Sequence, residues 1–554
     1  MARKRILVIG GVAGGASCAA RARRLSEDVE IILFERGSHV SFANCGLPYY
    51  VGDVIKAEGQ LLVATADMFK QRFNIDVRLE NEVLCIDRDA RQVQVRELET
   101  GRLYQESYDA LVLAPGAVPI RPPFPGIDLP GVFSLRTIPD SREIKVWVLE
   151  KNARCAIIVG CGFIGLEMAE NLMRLGLSVQ MIEMASQVMP PLDPEMSQII
   201  HEHLVTHGIA LHLGDGVVAF AQGPAGQIEV HTRSGQKYTA DLVILSIGVR
   251  PETKLARDAG LELGERGGIR VNDRLQTSDP KIWAVGDAIE VRDFVTGEYV
   301  LIPLAGPANR QGRIVADAIL GRDVRFRGVQ ATAVCGVFDR VVAATGANEK
   351  TLKRLGWEYG KVYLHPAHHV SYYPGARPIS MKMLFDLKHG RILGAQAIGE
   401  AGVDRRIDVV AMAIQKGATV YDIEEAELCY APQFGAAKDP INMAGMVAAN
   451  ALRGDAPLAY WEDLDETDAF LLDVRTEGEF TRDHLKGAHH IYVNELRQRL
   501  SELPADREIW AYCHVGQRAY YAVRVLQLNG FRARNLAGGI ETYKAVAQAQ
   551  RRNL

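Results

Sequence analysis

The chain carries the same arrangement of apolar and polar positions twice, about 150 residues apart. In the first copy, an apolar run at residues 6–9 meets a glycine-rich turn, a helical spacing follows, and a mainly apolar strand-like stretch at residues 30–34 ends at Glu35. Residues 153–185 repeat this order, and their second apolar run ends in Glu183. Short apolar runs bounded by glycine predict buried strands, so each copy predicts a strand, a turn, a helix and a second strand.

The glycines of the first turn suit a phosphate ligand. They are Gly10, Gly11, Gly14 and Gly15. Glycine lets the backbone approach a pyrophosphate, which the N-terminus of the following helix attracts. Glu35, twenty residues after Gly15, is placed to accept hydrogen bonds from a ribose. Val12 stands where the GxGxxG pattern has its middle glycine, so this copy alone would also fit a glycine-rich turn without a ligand.

The second copy has the complete GxGxxG pattern at Gly160, Gly162 and Gly165. Two such units in one chain predict two dinucleotide sites. The carboxylate of Glu183 would repel a 2′-phosphate and bond a free 2′-hydroxyl, which favours NADH over NADPH. Neighbouring basic residues could override that preference.

At 554 residues the chain is long enough for three or four domains. Its 64 Lys and Arg against 68 Asp and Glu leave a formal charge of −4, which does not suggest nucleic acid or an anionic membrane as the main partner. No apolar run approaches the ~20 residues that a membrane span needs. The basic and apolar start could also be a secretory signal, but the placement of its glycines and the basic helix that follows favour the nucleotide-binding turn.

The eight cysteines are scattered, and none forms a CxxC pair. Zinc binding and a thioredoxin-type dithiol are therefore disfavoured, and no metal site is predicted. Dispersed cysteines in a large chain are typical of the cytosol, where thiols stay reduced, so we predict a cytoplasmic protein.

Three further segments connect the two glycine-rich units. Residues 108–117 and 240–253 each predict a strand that ends in a glycine turn, and residues 282–288 predict a buried strand that ends at Gly286 and Asp287. Taken in order, these motifs resemble the flavoprotein pyridine nucleotide-disulfide reductases over residues 1 to about 450. In that family the first unit binds FAD, the inserted second unit binds NAD(P)H, and the Gly-Asp pair contacts the flavin.

The resemblance implies the residues that hold both cofactors. For FAD they are Gly10, Gly11, Ala13, Gly14, Gly15, Glu35, Arg36, Ala114, Gly116, Gly286, Asp287, Pro303 and Ala305. For NADH they are Gly160, Gly162, Phe163, Ile164, Gly165, Glu183 and Gly248.

The stretch SFANCGLPYY at residues 41–50 places one cysteine, Cys45, on a turn broken by Gly46 and Pro48. Family members such as glutathione reductase carry two cysteines a few residues apart here, whereas this chain has no second cysteine until Cys85. The stretch resembles the single-cysteine branch, the coenzyme A-disulfide reductases and related NADH oxidases. That branch implies that the partner sulfur of Cys45 arrives on coenzyme A (CoA).

CoA carries several phosphates, so its site should be basic. Arg21 and Arg24 share one face of the predicted first helix, and a guanidinium can bind two phosphate oxygens. Without the Cys45 motif, a solvated basic helix end would be the alternative. The resemblance implies CoA contacts at Ser17, Arg21, Arg24, Ser41, Asn44, Cys45, Asn309, Tyr372, Tyr430 and Lys438.

Residues 328–450 resemble the dimerisation domain of this family and predict a homodimer. Tyr372 and Tyr430 match tyrosines that the family contributes from the partner subunit, next to the thiol and the flavin. A phenol there could hydrogen-bond a thiolate or protonate a leaving sulfur. The alternative is that both tyrosines are amphipathic packing residues.

After a Gly- and Pro-containing joint at residues 452–460, the segments FLLDVRTEGEFTRDHLKGAHHI and EIWAYCHVGQRAYYAVRVLQLNGF resemble a rhodanese, with the CxxGxR loop ahead of a helix. The helix N-terminus would stabilise the Cys513 thiolate, and Arg518 would hold an anionic sulfur group. His514 replaces an arginine often found after the cysteine, which puts thiosulfate in doubt as the preferred donor. An inactive rhodanese-like fold and a structural Cys513 are the alternatives.

Both candidate thiols handle sulfur. Cys513 can carry a sulfane sulfur as a persulfide, and Cys45 with CoA can cleave an S–S bond with electrons from NADH through FAD. The chain resembles a fusion of a CoA-disulfide reductase with a rhodanese and predicts an NADH-dependent reductase of persulfides or polysulfides that releases hydrogen sulfide. The alternatives are a CoA-disulfide reductase, an NADH oxidase and, from another class, a sulfur-relay carrier.

The predicted fold is α/β, with two Rossmann-like domains, an α+β dimerisation domain and a C-terminal α/β rhodanese domain. We predict the FAD-binding domain at residues 1–115 and 251–327 and the NAD(H)-binding domain at residues 116–250. The dimerisation and rhodanese domains are predicted at residues 328–450 and 451–554.

Overall fold

A computed structural model describes residues 3–553 of the chain. These residues form two compact units. The first comprises residues 3–185 and 208–331, and the second comprises residues 186–207 and 332–553. Within the described part of the chain, no helix is long and apolar enough to cross a membrane.

The helices over the described residues follow in chain order. They are α1 (Ala13–Leu25), α2 (Leu47–Val51), α3 (Ala66–Phe73), α4 (Ile138–Glu150), α5 (Phe163–Arg174), α6 (Pro194–Thr206), α7 (Lys254–Asp258), α8 (Ala305–Ile319), α9 (Glu349–Arg354), α10 (Val403–Lys416), α11 (Val420–Glu424), α12 (Pro440–Arg453), α13 (Glu477–Arg482), α14 (Gln517–Leu528) and α15 (Gly539–Asn553).

The strands are numbered in the same way. They are β1 (Lys4–Ile9), β2 (Val29–Glu35), β3 (Asp76–Leu79), β4 (Asn81–Asp87), β5 (Gln92–Glu97), β6 (Leu103–Ser107), β7 (Ala110–Leu113), β8 (Ala117–Pro119), β9 (Val132–Ser134), β10 (Cys155–Val159), β11 (Ser178–Glu183), β12 (Ala210–Leu213), β13 (Val217–Gln222), β14 (Ile228–Thr232), β15 (Lys237–Ala240), β16 (Leu242–Leu245), β17 (Val249–Pro251), β18 (Ile269–Arg270), β19 (Ile282–Ala284), β20 (Ile289–Arg292), β21 (Tyr299–Val300), β22 (Ala333–Val337), β23 (Arg340–Gly346), β24 (Gly360–Leu364), β25 (Ile379–Phe385), β26 (Ile392–Gly399), β27 (Leu458–Ala459), β28 (Phe470–Asp473), β29 (His489–His490), β30 (Ile509–Tyr512) and β31 (Ala533–Leu536).

The first unit contains two parallel five-stranded sheets. The order is β19-β7-β1-β2-β3 in one and β12-β11-β10-β16-β9 in the other. Strands buried on both faces read as continuous apolar runs, which is why residues 6–9 lacked alternation. Each repeated sequence unit supplies the two adjacent strands and the crossover helix of one sheet, which confirms the predicted Rossmann-like folds.

Helices α1 and α8 pack against each other at very short range in the first unit. A Cβ atom added to Gly312 of α8 would lie 2.2 Å from the backbone oxygen of Gly14 in α1, so a larger residue would force the helices apart. This contact brings the segment around residue 309 to the first glycine-rich turn, although the two are far apart in the sequence.

The second unit contains an antiparallel sheet and a parallel sheet. The antiparallel sheet has the order β22-β23-β26-β25-β24 and is covered by α10. The parallel sheet, in the predicted rhodanese region, has the order β27-β31-β30-β28-β29, with β30 leading into α14. The predicted α+β and α/β classes of these two regions are confirmed.

A buried charge cluster explains why residues 186–207 belong to the second unit. The Lys382 ammonium on β25 is fully buried and lies 2.8 Å from the Asp193 carboxylate, and it also pairs with Glu195 and Glu349. A buried charge without partners is strongly destabilising, so this pairing holds α6 to the antiparallel sheet. Our domain prediction assigned this segment to the NAD(H)-binding domain, and the four domain boundaries remain predictions.

Candidate active sites

Two glycines of each nucleotide turn occupy positions that no larger residue could take. A Cβ at Gly10, where φ is +97°, would lie 2.1 Å from the backbone oxygen of Ala114, and one at Gly15 would lie 1.9 Å from that of Gly10. The second turn repeats this geometry: φ is +99° at Gly160, and a Cβ at Gly165 would lie 2.1 Å from the oxygen of Gly160. Both turns are therefore packed in the form that leaves helix N-terminal amides open to a phosphate.

The glutamate at the end of the second strand makes the same backbone hydrogen bond in both glycine-rich repeats. Glu35 accepts a hydrogen bond of 2.8 Å from the backbone N–H of Gly11. Glu183 accepts one of 2.8 Å from the N–H of Cys161, at the equivalent position. A carboxylate offers about four lone-pair sites, so each acid keeps acceptors for a ribose hydroxyl.

The loop with Cys45 is attached directly to the first turn. The backbone N–H of Ser41 donates a hydrogen bond of 2.8 Å to the oxygen of Gly11, and Ser41 adopts a left-handed conformation with φ of +49°. Cys45 follows in a 3₁₀ turn, Asn44–Gly46, and is exposed. The Ser41 contact therefore places an accessible thiol beside the predicted flavin site.

Glu167 is a functional candidate that sequence reasoning missed. It lies on α5, two residues after Gly165, and accepts a hydrogen bond of 3.3 Å from the hydroxyl of Tyr49. Burial raises the pKa of Glu167 to about 7. Although Cys45 is exposed as a residue, surrounding protein groups partly desolvate its thiol, and this effect together with the Glu167 and Asp287 charges raises the thiol pKa. A carboxylate two residues after the last glycine of the pattern was the available signal.

The predicted CoA residues on α1 and α8 lie in different environments. The hydroxyl of Ser17 hydrogen-bonds the side chain of Asn309, so the helix packing brings these two together. Arg21 is half-buried and pairs with Asp317 at 2.8 Å, whereas Arg24 is exposed. The cation of Arg21 is therefore already neutralised within the chain, and Arg24 is the more accessible of the two.

The Gly-Asp pair at residues 286–287 also lies at this face of the first sheet. The N–H of Gly286 donates to the side chain of Gln311 on α8 at 2.7 Å, and burial raises the pKa of Asp287. Arg136, which we did not predict, donates to the oxygen of Ala117 at 2.8 Å, and its charge opposes the effect of burial on Asp287. Only tertiary structure could reveal this cation, since Arg136 lies outside both glycine motifs.

The second unit brings Tyr372 and Tyr430 together. Their hydroxyl oxygens are 2.8 Å apart, and the side chains are 73% and 47% exposed. The hydrogen bond to Tyr430 raises the pKa of Tyr372. Lys438 is also exposed in this unit.

The rhodanese-like loop presents Cys513 to a helix N-terminus. Cys513 is buried directly after β30, and the N–H of Gly516 donates to its sulfur at 3.2 Å. Gly516 has φ of +88° and caps α14, so the loop can turn its amides toward the sulfur. A helix N-terminus stabilises an anion, which suits a thiolate or a persulfide at Cys513.

Two contacts position this loop. A Cβ at Gly539 would lie 2.5 Å from the oxygen of Cys513, and that oxygen accepts a hydrogen bond of 2.9 Å from the N–H of Ile540 at the start of α15. Arg518 donates two hydrogen bonds of 2.7 Å to Glu479, which raises the pKa of Arg518. The planar fork of Arg518 is thus occupied by a carboxylate of the chain itself.

Comparison with known proteins places this geometry in a family. Residues 4–312 match the pyridine nucleotide-disulphide oxidoreductase family, residues 332–439 match its dimerisation domain, and residues 457–546 match the rhodanese-like domain. The chain belongs to the pyridine nucleotide-disulphide oxidoreductase family. FAD and NADH are cofactors of this family, so the predicted enzyme class and this cofactor pair are confirmed.

Three similar proteins cover most or all of the chain. The structure of reduced CoADR-RHD from Bacillus anthracis shares 47% identity and covers 98% of each chain, with a TM-score of 0.96. The structure of a NAD-dependent persulfide reductase from A. fulgidus shares 36% identity and covers 97% of this chain and all of the other, with a TM-score of 0.90. A coenzyme A disulfide reductase from Staphylococcus haemolyticus is 34% identical over 80% of this chain and 99% of its own length. The predicted resemblance to a reductase–rhodanese fusion is confirmed.

Proposed function

We propose that this protein is an NADH-dependent reductase of persulfides, polysulfides and CoA persulfide that releases hydrogen sulfide. The observation that carries the proposal is the exposed Cys45, which the Ser41–Gly11 hydrogen bond holds at the first nucleotide turn. The next cysteine along the chain, Cys85, lies on β4, and its thiol contacts Gln94. The partner sulfur of Cys45 is therefore supplied from outside the chain, and we assign it to CoA.

The glycine turns and the half-buried carboxylate of Asp287 fit the predicted nucleotides. A Cβ at Gly162 would meet no atom within 4 Å, so the backbone at the start of α5 is open to a pyrophosphate. FAD, when bound, supplies a two-electron link between the nicotinamide and a thiol. We assign its binding and that of NADH to the two residue sets predicted from the sequence, with Glu183 on the adenosine ribose.

At Cys45, the proposed step is a thiol exchange. The Cys45 thiolate attacks the CoA sulfur of CoA persulfide, a Cys45–CoA disulfide forms, the S–S bond of the persulfide breaks, and hydrosulfide leaves. Hydrosulfide is a better leaving group than an alkyl thiolate, which favours this direction. Two electrons and a proton that originate from NADH then return the mixed disulfide to the Cys45 thiolate and CoA thiol.

Cys513 is proposed to carry the sulfane sulfur. The amide of Gly516 and the N-terminus of α14 would stabilise the persulfide anion. Bulky or polymeric donors would first transfer a sulfane sulfur to the Cys513 thiolate. The CoA thiolate would then attack the outer sulfur of the Cys513 persulfide, which forms CoA persulfide and releases the Cys513 thiolate.

The CoA contacts and the dimer complete the proposal. In a homodimer formed through the dimerisation domain, Tyr372, Tyr430 and Lys438 would come from the partner subunit. A hydrogen-bonded pair of exposed phenols suits this role, because one can donate to a sulfur while the other supports it. On the Cys45 side we assign Ser17, Arg24, Ser41, Asn44 and Asn309 to CoA, and Arg21 to positioning α1 on α8 through Asp317.

The first experiment identifies the bound molecules. The purified protein is denatured and its small molecules are measured by mass spectrometry before and after reduction. FAD is expected in both samples and CoA only after reduction. FAD without CoA in either sample would refute the assignment of the partner sulfur.

The second experiment compares NADH-driven rates with CoA persulfide, polysulfide, CoA disulfide and dioxygen. Cys45→Ser should abolish reduction of every sulfur substrate while FAD stays bound, and Cys85→Ser is the matched control. A preference for CoA disulfide or dioxygen would instead support a CoA-disulfide reductase or an NADH oxidase. Sulfur transfer by Cys513 with no NADH-driven sulfur reduction would support a sulfur-relay carrier.

A further inference from the structure

The last turn of α6 faces a tight turn of the antiparallel sheet in the second unit. His203 lies in the last turn of α6, His207 is the residue that caps this helix, and Asp339 lies in the turn between β22 and β23. One ligand atom from each of these three side chains lies within 4.8 Å of the other two. Imidazole nitrogen and carboxylate oxygen are the donors that zinc takes in proteins.

The two imidazoles are oriented as metal ligands usually are. Nδ1 of His207 is 2.9 Å from the backbone oxygen of His203, to which it can donate, so its Nε2 keeps the lone pair. His203 forms a hydrogen bond with the backbone of Val337. Ligating histidines typically use the other ring nitrogen for a backbone carbonyl in this way, which fixes the tautomer and the ring.

A bound cation would stabilise the close approach between the His203 imidazole and the Asp339 carboxylate. Nε2 of His203 is buried and lies 2.8 Å from Oδ1 of Asp339, yet within the described residues it makes no hydrogen bond. A neutral imidazole has one donor and one acceptor nitrogen. With the donor used on Val337, Nε2 keeps a lone pair without a hydrogen bond from any described residue, and a rotation of the Asp339 carboxylate would let one metal ion bond both groups.

The neighbourhood holds this geometry in place. The ring of His207 stacks on Phe338 with a centroid distance of 4.1 Å and an angle of 9°, and Phe338 adopts φ of +55° in the turn. Asp339 is 65% exposed, so its carboxylate can rotate. Arg340, the nearby cation, pairs with Glu400 at 3.6 Å.

We propose that His203, His207 and Asp339 form a divalent metal site with a preference for zinc. Zinc bonds of about 2.0–2.2 Å in tetrahedral geometry hold donor atoms roughly 3.3 Å apart, which small rotations of these side chains can reach. Three protein donors leave the fourth position to water. The ion would clamp the C-terminal end of α6 to the β22–β23 turn, while the Lys382 cluster secures its N-terminal end.

The test is a zinc titration of the full-length, tag-free holoenzyme after removal of metal with a chelator. All samples are first alkylated with iodoacetamide, because the exposed thiols of Cys45, Cys85 and Cys429 would also bind zinc. Competition with a chromophoric chelator should give one zinc per chain. Asp339→Asn and His207→Gln should each weaken this binding by about tenfold or more, whereas His389→Gln, at an exposed histidine in another turn of the same sheet, should not.

Two further readouts separate a metal site from a structural effect. Zinc should raise the Tm of the wild-type protein but not that of Asp339→Asn. Because the side chain at residue 339 is exposed, we expect this variant to fold normally. X-ray absorption at the zinc edge should show only nitrogen and oxygen donors with imidazole scattering. The proposal is overturned by sulfur ligation, by equal binding in Asp339→Asn and wild type, or by wild-type binding no tighter than that of His207→Gln.

Discussion

Arg518 donates two hydrogen bonds of 2.7 Å to the carboxylate of Glu479. The same carboxylate accepts the N–H of Thr476 at 3.0 Å and so caps α13. This ion pair ties the Cys513 loop to a second segment of the rhodanese-like region. Arg518 also hydrogen-bonds the Cys513 thiol, so the ion pair with Glu479 positions a guanidinium that contacts the sulfur.

This geometry predicts that Arg518→Lys and Glu479→Gln lose activity together. Lysine cannot make the two parallel bonds, and glutamine removes the charge that holds the fork. We expect each variant to slow sulfur transfer from polysulfide to cyanide about tenfold, the equivalent of about 1.4 kcal/mol. Arg482→Lys, at an exposed arginine of α13, is the control. Undiminished transfer in Glu479→Gln together with loss in Arg518→Lys would show that Arg518 acts on the anion directly.

Cys513→Ser should reduce the rate with polysulfide far more than the rate with CoA persulfide. Small persulfides reach Cys45 by diffusion, whereas polymeric donors need a carrier whose tether gives an effective concentration of roughly millimolar. We expect at least about a tenfold loss with polysulfide and little change with CoA persulfide. Cys85→Ser is again the control, and steady-state NADH oxidation is the measurement.

The point variant is a cleaner test than a truncation near Arg453. Truncation would also remove Glu462, which pairs with the buried Lys361, and Thr542, which bonds His365 at 2.9 Å. Each loss removes one of two partners from its polar group, since Lys361 keeps Glu349 and His365 keeps Ser380, and both would weaken the antiparallel sheet. Equal losses with both substrates in Cys513→Ser would indicate a folding defect, and no loss with either would make the tail a separate sulfurtransferase.

The wild-type protein should have a higher kcat/KM with NADH than with NADPH. The Glu183 carboxylate, anchored by the N–H of Cys161, would repel a 2′-phosphate. Glu183→Gln removes the negative charge and keeps the amide oxygen as a hydrogen-bond acceptor. The ratio of kcat/KM for NADH to that for NADPH should therefore fall by about tenfold, mainly through a lower KM for NADPH. Equal use of both coenzymes by the wild type would show that basic neighbours decide the pocket.

Glu167 should control the pH at which Cys45 ionises. Because burial raises the pKa of Glu167 to about 7, this side chain is largely neutral below pH 7 and negatively charged above it. Its charge disfavours the Cys45 thiolate, so Glu167→Gln should move the thiol pKa downward. The rate of Cys45 alkylation by iodoacetamide in the reduced protein, followed against pH, measures the shift.

Glu150→Gln is the matched control for that experiment, because Glu150 is exposed at the end of α4. An unchanged alkylation profile in Glu167→Gln would mean that the Glu167 charge does not contribute to the Cys45 pKa. A shift toward higher pH would contradict the proposed electrostatic coupling.

The sequence by itself determined the elements whose information is local. Gly15 and Gly165 are required by backbone contacts within one strand–turn–helix unit, and Gly10 and Gly160 by the positive φ of the turn, so the spacing of the glycines predicted both turns. The Cys513 loop is equally local, since Gly516 lies three residues from the sulfur that it contacts. The lone cysteine in the stretch at residues 41–50 could also be predicted as a site, because that motif is a short local pattern.

The tertiary structure alone decided which distant residues meet. Asn309 reaches Ser17, and Glu167 comes near Cys45, because helices pack on one another, and periodicity predicts a buried face without naming its partner. The placement of α6 in the second unit depends on Lys382, whose buried charge is stable only beside carboxylates from other segments. Such long-range pairing of charge has no local pattern in the sequence.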